Sequence, residues 1–403
     1  MVIDNSINTA SSPAPPCKLR GYQFYHEILK SPKYIVAPMV DQSELAWRQL
    51  SRRYGAQLAY TPMINAKMFA GTKQKGYRDT NFNTIYGEEG GAGDRPLIVQ
   101  FCANDPDQLL ESARILEPHC DAIDINLGCP QDIARKGKYG SFLQDDWDLI
   151  YKLINTLHTN LTIPVTAKFR VFSSLEKTVE YAKMLERAGA QILTCHGRTR
   201  EQRGHNTGLA DWSKIRAVKE AVSVPVFANG NILYHSDIER CLAETGADGV
   251  MSAEGQLYNA ALFSHSQSPI SSSSLLPHKG LYPPHTQLAL EYLQIVESLK
   301  TPTPLSAIKG HLFKLMRPGL VKHPDLRDKL GKTRGKEGGG VRAFFEIVEE
   351  LAERMEKDQH EASVNGEPNL EEKIPHWLAQ PYFRPLPLME GNSARKTGES
   401  TFN

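Results

Sequence analysis

Eight short, predominantly apolar runs recur along the chain, at residues 34–38, 58–61, 97–101, 122–126, 165–169, 191–195, 224–228 and 249–252. Most do not alternate apolar with polar residues as a strand with one wet face does. Each must therefore be covered on both sides, as parallel strands shielded by helices are. Most are bounded by Gly, Pro, Asn or Asp, and stretches with helical spacing lie between them at 43–54, 107–117, 147–157, 175–188, 213–221 and 236–245. Eight strand–helix alternations predict an α/β fold, either a closed (β/α)8 TIM barrel or an open doubly wound sheet. The barrel is favoured because residues able to do chemistry fall at the ends of several different runs, and a barrel gathers those ends on one rim.

The barrel pattern occupies 30–263, after an N-terminal arm with a short helix at 1–29. It fades into a Ser/Pro-rich connector at 264–284 that has no periodic apolar face. Apolar periodicity returns over 285–356, in LALEYLQIVESL and VRAFFEIVEELAERM, and predicts a small C-terminal helical domain. From 357 to 403 the chain is polar and weakly patterned, so a largely irregular or disordered tail is expected, with WLAQPYFRP as one candidate docking strip.

The formal net charge of +1 over 403 residues gives no global polyanion signal, although a local basic surface is compatible with it. No apolar run reaches membrane length, and the N-terminal stretch lacks the Arg-rich, acid-free pattern of a mitochondrial presequence. Cytoplasmic residence is therefore expected, with nuclear residence left open. The six cysteines are scattered without a close C-x-x-C pair and read as free thiols. Cys195, His196 and His205 do not complete a recognisable ligand set, so no metal is expected. The pair Asp145-Asp146 stands where it would cap a helix.

The fourth run leads into DINLGCP, which sets Cys129 directly beyond a buried strand, with glycine for the tight exit and proline stiffening the residues after it. A cysteine held there reads as chemical. Cys102, Cys120 and Cys241 read as core packing, and Cys195 as a packing residue lining the same rim. Around Cys129 the other strand ends supply what a flat redox cofactor needs. Ala37, Pro38 and Met39 offer an apolar floor, Gln100 an amide at the ring edge, and Lys168 a cation for a reduced ring. His196 can contact ring or phosphate. The turns Asn229-Gly230-Asn231 and Ala253-Glu254-Gly255, after the seventh and eighth runs, fit a backbone phosphate cradle, with Glu254 shaping its turn rather than touching an anion. No G-x-G-x-x-G follows the first run, so a nicotinamide cofactor is expected to visit and leave.

Basic residues crowd the same rim: Arg135, Lys136 and Lys138 after Cys129, Arg170 beyond Lys168, and Arg198, Arg200 and Arg203 in the loop after the sixth run. The second domain adds Lys309, Lys314, Arg317, Lys322, Arg327, Lys329, Lys332, Arg334 and Lys336. Two such clusters point to a folded RNA, read by phosphate contacts, over a small neutral metabolite.

Together these residues resemble the tRNA-dihydrouridine synthases. The matching stretches are APMVDQSELAWRQLSRRYGAQLAYTPM, DRPLIVQFCANDP, CDAIDINLGCPQDIARKGKYGSFL, VTAKFRVF, HGRTREQRG, VFANGNI and GVMSAEG, which cover roughly residues 30 to 262. The first and third look like the eukaryotic branch acting on tRNA positions 16 and 17. The resemblance implies bound FMN, NADPH as a transient reductant and tRNA as substrate; a monomer is the default expectation. It implies reduction of the uracil C5–C6 bond, with hydride from FMN N5 to C6 and a proton from Cys129 to C5. Met39, Gln100, Lys168 and His196 match the family's ring contacts, and Asn229, Gly230, Asn231, Glu254 and Gly255 its phosphate turns. Asn126 and Arg170 match the contacts to the target uracil. AIKGHLFKLMRPGL, with Lys309, Lys314 and Arg317, looks like the family's tRNA-binding segment, which Lys322 extends, while Arg198 joins the rim cations. Two other readings remain open: a flavin-dependent dehydrogenase acting on a free pyrimidine such as dihydroorotate, and a flavin-free RNA-binding protein that retains a barrel.

Overall fold

All eight apolar runs become strands of one parallel sheet: β1 (Tyr34–Val36), β2 (Leu58–Tyr60), β3 (Leu97–Cys102), β4 (Ala122–Leu127), β5 (Val165–Arg170), β6 (Leu193–His196), β7 (Val226–Asn229) and β8 (Gly249–Ser252). In this computed structural model, which describes residues 18–71, 75–264, 281–334, 340–365 and 374–382, the sheet closes on itself. Ile35 of β1 lies opposite both Leu58 of β2 and Met251 of β8, and Ala59 of β2 lies opposite Leu97 of β3. That ring excludes the open doubly wound alternative. A short strand Ile64–Asn65, absent from the sequence pattern, pairs with the far end of β3.

The runs are mostly apolar because both faces are covered. β2, β3, β4, β7 and β8 are buried along their whole length. Phe24 and Tyr25, from the arm helix Gly21–Glu27, pack with Ile35, Phe227 and Met251. Tyr25 donates to the carbonyl of Asp248, just before β8, at 2.9 Å. The arm thus plugs the N-terminal end of the barrel, which leaves the other end for chemistry. Asp146 caps the helix Trp147–Asn160 by accepting from the Leu149 amide, as its position suggested, while Asp145 pairs with Arg200 at 2.5 Å.

The second domain comprises helices His285–Ser298, Leu305–Leu315, Arg317–Lys322, Pro324–Lys332 and Arg342–Asn365. Two features depart from the expected boundary at 356. The last helix continues to Asn365, and residues 374–382 dock back on the domain. The Ala379 amide donates to the Pro283 carbonyl at 2.9 Å, and His376 meets Asp358 at 2.8 Å. The Arg317 guanidinium sits 3.9 Å over the Tyr382 ring. A backbone hydrogen bond, a His–Asp contact and a cation–π contact thus hold the candidate docking strip in place. Cys17, Lys336, most of the expected connector (265–280) and the last stretch of the tail (383–403) lie outside the described residues.

A polar seam joins the two domains. Glu44, just before the helix Leu45–Arg53, accepts from Tyr292 at 2.7 Å and meets His311 Nε2 at 3.0 Å. The His311 ring stacks on Trp47 with centroids 4.0 Å apart and planes 7° from parallel. Burial opposes charge on Glu44, but His311 and Tyr292 outweigh it and hold the carboxyl below its ordinary range.

Candidate active site

Parallel register places the rim residues beside one another. Gln100 lies opposite Asp124, Asn126 opposite Lys168, Arg170 opposite His196, and His196 opposite Asn229. Residues 124 and 126 share a strand face because strand side chains repeat with period two.

From these positions a continuous hydrogen-bonded chain runs to Cys129. Thr166 donates to Asp124 Oδ1 at 2.7 Å, and Gln100 Nε2 donates to Asp124 Oδ2 at 2.8 Å. Asn126 Nδ2 donates to Gln100 Oε1 at 2.7 Å. Asn126 Oδ1 then accepts the backbone amides of Gly128 at 3.1 Å and Cys129 at 2.9 Å. From the other side the Ser141 amide and hydroxyl both donate to the Cys129 carbonyl at 3.0 Å. Gly140 lets that loop close in: it holds φ +66°, and a Cβ there would stand 2.7 Å from the Cys129 carbonyl oxygen.

Electrostatics divide the site. Burial pushes the Cys129 thiol up, with the Gln131 amide, Arg170 and Lys168 pulling partly back, so the sulfur carries its proton at neutral pH. Lys168 is lowered to about 8, first by burial and then by Arg170, with Asp124 opposing. Burial followed by three cations holds His196 well below its usual range, so its imidazole is neutral. Arg198 stands 3.1 Å from His196 Nε2, and because a guanidinium only donates, the imidazole proton sits on Nδ1.

The expected phosphate turns have the required backbone. Gly230 holds φ +113°, and a Cβ there would stand 2.6 Å from Ala210 Cβ and 3.1 Å from His196 Cδ2. At Gly255 a Cβ would collide with the Ile232 carbonyl oxygen. Asn231 holds φ +63° and accepts from Arg198 at 3.0 Å. Lys168 reaches Asn229 Oδ1 at 2.9 Å. Pro38 and Met39 are partly buried beyond the end of β1, and Ala253 and Glu254 stand at the end of β8.

Several basic residues are placed differently from the sequence expectation. Arg198 joins His196 and Asn231 at the phosphate turn rather than facing outward as an RNA contact. Arg170 is partly buried and donates to the carbonyls of Gly128, Thr199 and Gln202 at 2.8, 2.9 and 3.2 Å. Arg203 donates to the Pro130 carbonyl at 2.7 Å. These guanidiniums tie the loop after β6 to the Cys129 loop, a use for which the planar fork suits Arg better than Lys. In the second domain Lys314 is turned inward, with its ammonium on Gln42 Oε1 at 2.5 Å and burial lowering its proton affinity. Lys309 donates to the Gly331 carbonyl at 2.9 Å, and Lys322 pairs with Asp358 at 3.0 Å. Arg327, Lys332 and Arg334 are exposed. Among the described residues, no group of three or more His, Cys, Asp and Glu is arranged to hold a metal ion.

Asp124 and Thr166 were not among the expected site residues. The signal for Asp124 was available, since it precedes Asn126 by two positions on the same strand face. Nothing in the sequence singles out Thr166 before its pairing with Asp124 is known.

A closed barrel with a protonated thiol, a partly buried ammonium and a neutral imidazole on one rim defines a (β/α)8-barrel oxidoreductase. The family model described as dihydrouridine synthase (Dus) matches residues 35–352, and the chain belongs to that family. It is 47% identical over 393 residues to tRNA-dihydrouridine(16/17) synthase of Saccharomyces cerevisiae, covering 93% of this chain and 89% of the yeast protein. Against the Schizosaccharomyces pombe protein of the same name it is 47% identical over 383 residues, covering 92% of each. Identity to the human tRNA-dihydrouridine(20a/20b) synthase-like protein is 40% over 232 residues, 57% of this chain and 70% of that one.

Proposed function

We propose that the chain reduces the C5–C6 bond of the uridines at positions 16 and 17 of tRNA, with FMN bound at the barrel mouth and NADPH as the reductant. The observation that carries this reading is the protonated Cys129 thiol, fixed by backbone ties on the same rim as Lys168, His196 and the Gly230 turn. The donor set fits FMN. The Lys168 ammonium has three hydrogens and the Asn229 carbonyl as its protein acceptor, which suits an electron-rich ring edge. Backbone at Gly230 and Gly255 has no room for a side chain and leaves main-chain amides to meet a phosphate.

Lys168, His196 and the Gln100 amide would hold the ring, with Pro38 and Met39 beneath it. Asn229, Gly230, Asn231, Arg198 and the Ala253-Glu254-Gly255 turn would hold the phosphate. Bound there, the flavin supplies the hydride. The chain's own part is to admit an unstacked base, hold it, and deliver a proton. Cys129 does the last as a general acid, a role that needs the thiol form favoured by its burial. Asn126 fixes the loop that carries it, and Arg170 braces that loop from below.

Specificity for positions 16 and 17 is supported by the relatives carrying that name, whose similarity spans 92% or more of the chain. The 20a/20b relative matches only 57% of it. The test is NADPH-dependent conversion of uridine to dihydrouridine in unmodified tRNA, mapped by position. Product confined to positions 16 and 17 supports the reading. Turnover of free dihydroorotate without RNA, and none of tRNA, overturns it.

A further inference from the structure

Asp124 lies in none of the roles assigned above, yet its side chain is the terminus of the chain that ends on Cys129. The carboxylate is fully buried on β4, between Gln100 on β3 and Thr166 on β5. We infer that Asp124 is a positioning residue of the reaction: it dictates which way round the Gln100 and Asn126 amides sit, and through them holds the Cys129 loop at the rim.

Hydrogen-bond polarity sets this sense. An ionised carboxylate only accepts, so Gln100 must turn Nε2 toward Asp124. That leaves Gln100 Oε1 for Asn126, which must then turn Nδ2 toward it. Asn126 Oδ1 is thereby aimed at the backbone N–H groups of Gly128 and Cys129, which only donate. Both ends of the chain are fixed in sense, so the two amides between them have one orientation that satisfies every partner. Removing the acceptor at 124 leaves a buried Gln100 N–H without a partner, and a rotation of that amide to recover one sets two donors against each other at Asn126.

The charge environment supports this sense. Burial raises the Asp124 carboxyl to about 6, opposed by the bonds from Thr166 and Gln100 and by the charge on Lys168. Tyr60, buried on β2, also faces Asp124, and burial followed by that carboxylate raises the phenol, which stays neutral. Among the described residues Lys168 is thus the charged neighbour that acts on Asp124, and its sign favours the ionised acceptor.

This inference rests on the proposed reduction, so the wild-type protein making dihydrouridine in tRNA is the control, and its failure would count against that reading alone. Two variants of the full-length flavoprotein are measured beside it. Asp124→Leu, assayed with saturating FMN because Gln100 is also assigned to the ring, is expected to retain the KM for tRNA, to lose at least tenfold in kcat, and to let iodoacetamide alkylate Cys129 at least threefold faster, as located by peptide mass spectrometry. Thr166→Val keeps the size of the side chain but removes one bond to the carboxylate. The acid limb of its kcat profile should move to higher pH while the plateau is retained, because a protonated Asp124 can donate as well as accept and only the ionised carboxylate fixes the sense of the Gln100 amide. A purely structural role would not move that limb. Wild-type kcat and alkylation rate in Asp124→Leu overturn the inference. Should that variant not fold, an unmoved acid limb in Thr166→Val overturns it equally.

Discussion

Replacing Cys129 with alanine should separate turnover from everything else the protein does. The loop around it is held through backbone atoms: its amide by Asn126 Oδ1 at 2.9 Å and its carbonyl by the Ser141 amide and hydroxyl at 3.0 Å. Truncation at Sγ leaves these bonds in place and removes one half-buried sulfur, which costs roughly 1 kcal/mol or less in stability. A positioned general acid contributes about 10²–10⁴ in rate, or roughly 3–5 kcal/mol of barrier. The variant should therefore keep its flavin, its tRNA affinity and nearly its melting temperature, while single-turnover formation of dihydrouridine slows by at least a hundredfold. Cys129→Ser should be almost as slow, since a hydroxyl is a far weaker acid in the same place. Flavin absorbance, tRNA binding and rapid-quench product analysis check the three parts. Product formation within threefold of wild type, or a rate loss accompanied by equal loss of flavin, refutes the assignment.

The same geometry carries further expectations. Gly230→Ala must hold an L-residue at φ +113° with its Cβ 2.6 Å from Ala210, at a cost of about 1–2 kcal/mol for the backbone alone; a flavin titration should show at least tenfold weaker binding, and unchanged affinity would remove that turn from the cofactor site. Lys168 loses its proton as pH rises through about 8, so activity should fall above that pH, and Lys168→Arg, with a permanent charge, should move the alkaline limb upward; pH–rate profiles that coincide would refute the role. Lys314→Met should leave the salt dependence of tRNA binding unchanged because the ammonium is held on Gln42. Joint replacement of the exposed Arg327, Lys332 and Arg334 by alanine should lower the log–log salt slope, by roughly 0.7–0.9 for each phosphate that is no longer neutralised.

The barrel was legible because its signal is repeated: eight apolar runs and the intervening helical spacing reinforce one another, and each run lies on its observed strand to within a few residues. The short strand Ile64–Asn65 carries too few residues for any periodicity and was missed. The docked segment 374–382 overlaps the candidate docking strip WLAQPYFRP, but what it docks against was not legible. Its order comes from partners distant in sequence, Pro283, Asp358 and Arg317, which no local window contains. The helix reaching Asn365 shows the same effect, because its polar final turns follow an apolar face already anchored by Phe344, Val348, Leu351 and Met355.

At the site, position was legible and partnership was not. Strand ends fix which residues reach the rim, so Cys129, Lys168, His196 and Gly230 could be placed from the chain alone. What each polar group bonds to depends on inter-strand register, and that made the rim arginines misleading. Read along the chain, Arg170, Arg198 and Arg203 are charges awaiting phosphate; across the register, they bond to carbonyls, an imidazole and an Asn side chain. A guanidinium that brings together Gly128, Thr199 and Gln202 holds two loops at a fixed separation, which a lysine in its place could not do while carrying the same charge. The rigidity of the mouth therefore comes from side chains that, read along the chain alone, look like free charge, and the cysteine loop is held in place by them before any substrate arrives.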